Sequence, residues 1–255
     1  MKIYLLLLWV CLTNQISAQS WIRQNPFPKL AELHDIAMDG DYGLVTADQG
    51  TLFTTTNGGI TWVPRKSPVP DGFFQAALVV PNNAGQALYA GGYDLIISRD
   101  GGETWELSDE EVNLIFKIQY LPSGMILVLD QDFGLKSSDG GQSWEHFSMP
   151  GTDISAGHFT SEMNGWVQYG GFNNNQVWVT VDGGDTWNLR DTLKFPIISQ
   201  IYMQNDLTGF LASRDFVYKT TDGGEHWIAM HSEPAQSILD MHVVNSNEIW
   251  TSQNN

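Results

Sequence analysis

Five aspartates, Asp48, Asp94, Asp130, Asp132 and Asp215, offer the most direct route to chemistry in this 255-residue chain. Carboxylates gathered around a common axis can bind a cation. Two of them about 5–10 Å apart can hydrolyse a glycosidic bond, one as acid and the other as base or nucleophile. A plainer explanation competes. Aspartate stabilises short hairpin turns by accepting bonds from nearby backbone N–H groups, and so collects in turns regardless of function. Other catalytic sets are missing. His34, His146, His158, His226, His231 and His242 show no His-x-His or His-Glu-x-x-His spacing, so neither a metal site nor a cofactor is expected.

The first residues are expected to leave the fold. Lys2 is followed by an apolar run from Ile3 to Leu12, and Ile16-Ser17-Ala18 precedes Gln19, the build of a secretory signal peptide over residues 1–18. The run is too short to span a bilayer. Cys11, the only cysteine, lies inside it, so residues 19–255 have neither a disulfide nor a thiol nucleophile. With 12 Lys plus Arg against 29 Asp plus Glu, the net charge is −17. Such a surface repels phosphate backbones and anionic lipid, which argues against nucleic-acid and membrane binding. It suits an exported monomer at the periplasm, outer surface or extracellular space.

The elements that must position the aspartates are set by a repeat. Thr55-Thr56-Asn57-Gly58-Gly59-Ile60-Thr61-Trp62 recurs around Asp100 and Trp105, Asp139 and Trp144, Asp182 and Trp187, and Asp222 and Trp227. The tryptophans are spaced by 43, 39, 43 and 40 residues. A period near forty filled with strand-like segments indicates propeller blades. Each period reads as four strands, A to D; in the first they are Leu33–Met38, Tyr42–Ala47, Thr51–Thr55 and Ile60–Pro64. The Gly-Gly phrase joins C to D, its glycines taking the positive φ of a tight turn. Burying one tryptophan beneath that hairpin removes roughly 200 Å² from water, an upper bound of about 5 kcal/mol. These residues are therefore read as structural. Phe73-Phe74 is placed at the start of a strand A.

The ends follow the same beat. Trp21 lies 41 residues before Trp62 and is expected in an outer strand D of the last blade. Ser237–Val244 and Asn247–Ser252 read as strands A and B of a sixth period. The fold expected for residues 19–255 is thus all-β, a β-propeller of five complete four-stranded blades and part of a sixth, truncated from a ring of six to eight.

The phrase Ser/Thr-x-Asp-x-Gly-x-Thr-Trp resembles the Asp-box, or bacterial neuraminidase repeat, with Asn57 and His226 as departures from it. The Trp21–Pro26 opening and the regular Gly-Gly-x-Thr-Trp phrases make the whole similar to secreted bacterial relatives of the photosystem II assembly/stability factor family. That resemblance implies boxes on the outer rim of one face and function on the other, where the D-to-A and B-to-C loops converge. The five aspartates are assigned to those B-to-C turns. The resemblance also implies a protein-binding scaffold without catalysis; the basic recognition face of the photosynthetic members has no counterpart here. The function expected is an exported, non-catalytic scaffold that binds a protein or glycan at the cell surface. The alternative is a polysaccharide-active glycoside hydrolase, xyloglucanase-like with two aspartates. A sialidase is less well matched, since only Arg23, Arg65, Arg99, Arg190 and Arg214 exist to form its arginine cluster.

Overall fold

The computed structural model of the protein describes residues 32–82, 87–170, 175–193, 198–213, 216–230, 238–245 and 248–253. The signal segment 1–18, the strand expected around Trp21 and the candidate Asp215 lie outside the described residues. Blade 1 comprises β1 (Leu33–Asp39), β2 (Tyr42–Ala47), β3 (Thr51–Thr55) and β4 (Val63–Lys66). Blade 2 comprises β5 (Phe74–Val79), β6 (Leu88–Gly92), β7 (Leu95–Ser98) and β8 (Glu106–Leu107). Blade 3 holds β9 (Ile115–Tyr120), β10 (Ile126–Asp130), β11 (Phe133–Ser137) and β12 (Glu145–Ser148). Blade 4 holds β13 (Ala156–Phe159), β14 (Gly165–Tyr169), β15 (Asn175–Thr180) and β16 (Asn188–Leu193). Blade 5 holds β17 (Ile198–Met203), β18 (Gly209–Ser213), β19 (Val217–Thr220) and β20 (Ile228–Ala229), and β21 (Ile238–Asn245) with β22 (Glu248–Gln253) begins a sixth. Every sheet pairs its strands antiparallel in sequence order.

The boundary that differs most from expectation is that of strand D; the strands expected at Leu33–Met38, Ser237–Val244 and Asn247–Ser252 differ by one residue at one or both ends. Strand D of blade 1 was expected at Ile60–Pro64 and is found at Val63–Lys66, and each other D strand likewise begins just after its tryptophan. The box itself uses up the intervening residues. Asn57 Oδ1 accepts from the Thr61 backbone N–H at 2.9 Å, and Thr55 Oγ1 accepts from Gly59 N–H at 3.0 Å. Backbone groups held by side chains in this way are withdrawn from the ladder. The pattern repeats with Asp100, whose carboxylate takes Thr104 N–H at 2.9 Å and Thr104 Oγ1 at 2.5 Å. His226 substitutes for the threonine without loss: its N–H reaches Asp222 Oδ1 at 3.0 Å and its ring Nδ1 pairs with Oδ2 at 2.8 Å.

The boxes also join one blade to the next. In boxes 2 to 5 the second glycine faces the preceding blade: a Cβ on Gly102 would stand 2.5 Å from Thr54 Cγ2, and one on Gly184 2.4 Å from Phe147 Cδ2. In boxes 3 and 5 the backbone carbonyl of the first glycine is an acceptor for that same blade. Tyr89 Oη donates to Gly140 O and Trp166 Nε1 to Gly223 O, each at 2.8 Å. The five box tryptophans are half-buried, so the stabilisation each gives lies below the full-burial bound. Trp187 packs edge-on against Phe159 and donates its indole N–H to Ser148 O of blade 3 at 2.7 Å.

The core is accordingly five seams rather than one centre. Leu44 and Leu52 meet Phe74, Leu88 and Ile96 between blades 1 and 2. Tyr89 and Ile97 meet Ile115 and Ile118 between blades 2 and 3. Phe147 meets Phe159, Trp166 and Val179 meet Ile198 and Ile201, and Phe210 meets Ile238 and Met241 in the three seams that follow. Two faces stand open among the described residues. Ile36 on β1 is 59% exposed where its register equivalent Ile201 is 3%, and Trp250 on β22 is 57% exposed where Trp166 is 2%.

A ring of polar side chains ties the innermost strands together. Asp35 Oδ2 accepts Ala77 N–H at 2.8 Å, and Gln75 donates to Ile115 O at 3.1 Å. Gln119 clasps Phe159 by both N–H and carbonyl, and His158 Nδ1 accepts Met203 N–H at 3.4 Å. Burial lowers the His158 pKa to about 3, with Lys117 adding to the effect. In the boxes, the threonine hydroxyl and N–H lower the Asp100 and Asp182 carboxyls to about 2.

Two predictions come from these contacts. Trp187→Ala should cost about 2–3 kcal/mol in urea unfolding, less than a fully buried tryptophan, while Trp187→Phe, which loses the hydrogen bond and part of the ring contact, should cost about 1–2 kcal/mol. Stability should also fall on acidification in two stages. Unfolded His158 takes up a proton near its ordinary pKa of 6.5 while the folded ring does not, so stability drops from about pH 6.5 down to about 3. The box carboxylates add a further loss between about pH 4 and 2, because their folded pKa values are depressed. Thermal melts of His158→Gln, which keeps an acceptor, should lack the first stage and retain the second.

Candidate functional site

The C-to-D boxes and the A-to-B turns occupy one face of the propeller. Gly58 N–H bonds to Asp41 O, Gly183 N–H to Met163 O and Gly223 N–H to Leu207 O, each within a single blade. The B-to-C turns and the loops entering strand A therefore share the opposite face. They are stitched together there: Asp48 N–H meets Glu32 O, Tyr93 N–H meets Phe73 O, and Gln131 N–H meets Leu114 O.

The candidate aspartates sit in this stitching. Asp48 Oδ1 accepts Glu32 N–H at 3.1 Å, fixing the entry to β1. Half-buried Asp94 occupies the β6–β7 turn, its carbonyl accepting from Gly92 N–H. Asp130 is fully buried and accepts three backbone N–H groups, from Asn113 (2.7 Å), Leu114 (2.8 Å) and Asp132 (3.0 Å). Asp132 accepts Asn113 Nδ2 at 2.7 Å. The structure thus brings Asp130 and Asp132 together on one turn, whereas Asp48 and Asp94 belong to the turns of their own blades. Asp132 also edges an open cleft of about 460 Å³ with Phe133, His146, Met149 and Pro150. There His146 stacks on Phe133 at 5.1 Å and pairs with Glu110 at 2.8 Å. Phe74 begins β5 as a buried residue, and Phe73, just before it, packs between His34 and Tyr93.

A second cavity, about 430 Å³, lies where the innermost strands converge, and residues from all six A strands line it. A shared irregularity builds it. Strand A of blades 1, 2, 3, 5 and 6 carries a β-bulge at the same register, between Leu33 and Asp35, Phe74 and Ala76, Ile115 and Lys117, Ile198 and Gln200, and Ile238 and Asp240. A bulge sets two residues opposite one and re-aims their side chains, a device frequent beside functional sites. The register then makes Asp35, Ala76, Lys117, Ala156, Gln200 and Asp240 equivalent positions around the axis.

Their electrostatics are uneven. Burial raises the Asp35 pKa, opposed by its bond from Ala77 and by Lys117, and reinforced by the charge of Asp240. Gln200 Nε2 donates to Asp240 Oδ1, and Gln200 Oε1 accepts Met241 N–H at 3.0 Å. None of Asp35, Asp240 and Lys117 forms an ion pair among the described residues. No group of three or more histidine, cysteine, aspartate or glutamate side chains is placed to hold a metal among them either. The arrangement is suited to non-covalent recognition of charge and hydrogen-bonding groups. Sequence reasoning missed this set, although a signal exists: Asp35-Ile36, Lys117-Ile118, Gln200-Ile201 and Asp240-Met241 repeat a polar–apolar step in phase with the boxes.

Comparison with known proteins agrees with the architecture. Residues 96–107 match the family model described as BNR/Asp-box repeat. A sequence search of curated proteins finds no match. Among solved structures, the chain is similar to "YCF48 bound to D1 peptide" with a TM-score of 0.70 and 14% identity, over 92% of this chain and 80% of that one. YCF48 from Cyanidioschyzon merolae gives 0.67 and 15%, over 88% and 80%. The GH74 enzyme of Niastella koreensis gives 0.62 and 18%, over 77% of this chain but 38% of that one. At such identities the likeness is one of fold. The chain is a β-propeller that carries the BNR/Asp-box repeat and resembles the YCF48 propellers in structure.

Proposed function

We propose that this protein is an exported, non-catalytic scaffold that binds a segment of another protein on the face bearing the B-to-C turns, at the cell surface. The observation that carries the reading is the axial cavity, lined by residues from all six A strands near the ends of the sheets that bear the B-to-C turns. Rigid strands, not loops, hold its polar groups, which favours a pre-formed recognition site. The candidate acids support a structural reading, since Asp130 is occupied by three backbone N–H groups and Asp48 clamps a loop. The fold likeness to YCF48, recorded with a bound D1 peptide, adds support for a peptide ligand. Export rests on the signal-like residues 1–18.

A second reading, glycan binding or glycoside hydrolysis, is favoured by the cleft that combines Asp132 with Phe133 and His146, and by the fold likeness to a GH74 enzyme. A peptide array and a glycan array probed in parallel with the purified chain separate the two. Binding to peptides, with no reducing ends released from xyloglucan, is the expected result. Release of reducing ends that Asp132→Asn abolishes, or binding confined to glycans, would replace the scaffold reading by the second one.

A further inference from the structure

We propose that the axial cavity is a receptor for a basic side chain, lysine or arginine, projecting from the bound partner segment. The inference rests on the protein-binding reading above and specifies what that site recognises.

Four observations converge on it. The first is the bulge shared by five A strands, each of which places at least one residue of the bulged segment in the cavity wall, and which is not needed for blade packing, since blade 4 packs without one. The second is the distribution of charge. Asp240 and Asp35 stand on blades 6 and 1, the last and first sheets among the described residues, while Lys117 stands on blade 3. Ala156, the register equivalent of these on blade 4, lines the cavity with no more than a methyl group.

The third is a carboxylate without a cation beside it among the described residues. Half-buried Asp35 is met by two backbone N–H groups, of Ala77 and Ile36, and by no cation within ion-pair distance among those residues. A carboxylate held this way is costly, and the cost falls when a positive group arrives and completes its coordination. The fourth is His34, on the same wall. Its Nε2 is buried and has no hydrogen-bond partner among the described residues.

An ammonium or guanidinium entering from the mouth would meet the carboxylates of Asp35 and Asp240, with Gln200 already holding one oxygen of the latter. Arginine would use the forked geometry that matches carboxylates. Lys117 acts in the opposite sense. It repels a cationic guest and so sets a limit on affinity. Net charge of −17 strengthens the attraction at long range and makes it sensitive to salt.

The test is calorimetric titration of the full chain at low ionic strength with Nα-acetyl-arginine methylamide and Nα-acetyl-lysine methylamide. The neutral isostere Nα-acetyl-citrulline methylamide serves as control. Both cationic probes should bind saturably, at least about tenfold more tightly than citrulline. Asp240→Asn and Asp35→Asn should each weaken them about tenfold, and Lys117→Met should tighten them severalfold. That last gain is an effect a merely structural role would not produce, and Asp240→Asn carries the test if Asp35→Asn does not fold. Equal binding of citrulline, absence of saturable binding, or weakening by Lys117→Met would overturn the proposal. If the probes fail while the peptide array remains positive, the cation pocket is wrong and the scaffold reading stands. If both fail, the reading beneath it falls as well.

Discussion

A glycine with no side chain, pressed against the sheet before it, is the contact on which the rest of this molecule depends. Blades of four short strands cannot bury both faces alone. Each becomes stable only when the turn between its last two strands reaches the neighbour, and that approach leaves no room for a Cβ at Gly102 or Gly184. The side-chain bonds of the box hold that turn in shape, and the seams then fill with apolar residues from both sheets. Because the box ends of the sheets are committed to packing, their other ends are free to carry recognition.

Much of this was legible in the residues. The phase of the tryptophans gave the blade count and the order of strands, and β2 and β3 fall where the alternation placed them. The D strands start later than the pattern suggests because the box residues bond to one another before the ladder resumes, a competition that local alternation does not reveal. The aspartates of the B-to-C turns stand out in sequence because turns favour them. Their role as clamps on the incoming loops is visible only once Asn113 and Leu114 are seen facing Asp130.

The axial residues were harder to find for a related reason. Asp35, Lys117, Gln200 and Asp240 each lie inside a strand, and a polar residue inside an amphipathic strand reads as a solvent-facing position. Five aligned bulges change that meaning, since a two-against-one pairing turns the residue toward the axis. Bulges have no dependable signature in a single strand. Their trace appears when the periods are superposed and the same polar–apolar step recurs at the same phase in four of the six.

The direction in which the seams are built has a consequence for biogenesis. Boxes 2 to 5 each lean backward, onto a sheet encoded earlier in the chain, and none of their glycine contacts waits for a sheet encoded later. A nascent polypeptide emerging N-terminus first would therefore find each docking platform finished before the next blade leaves the ribosome or the translocation pore. Assembly can advance vectorially, one ratchet step per repeat, with a short-range search at every step in place of a long-range one.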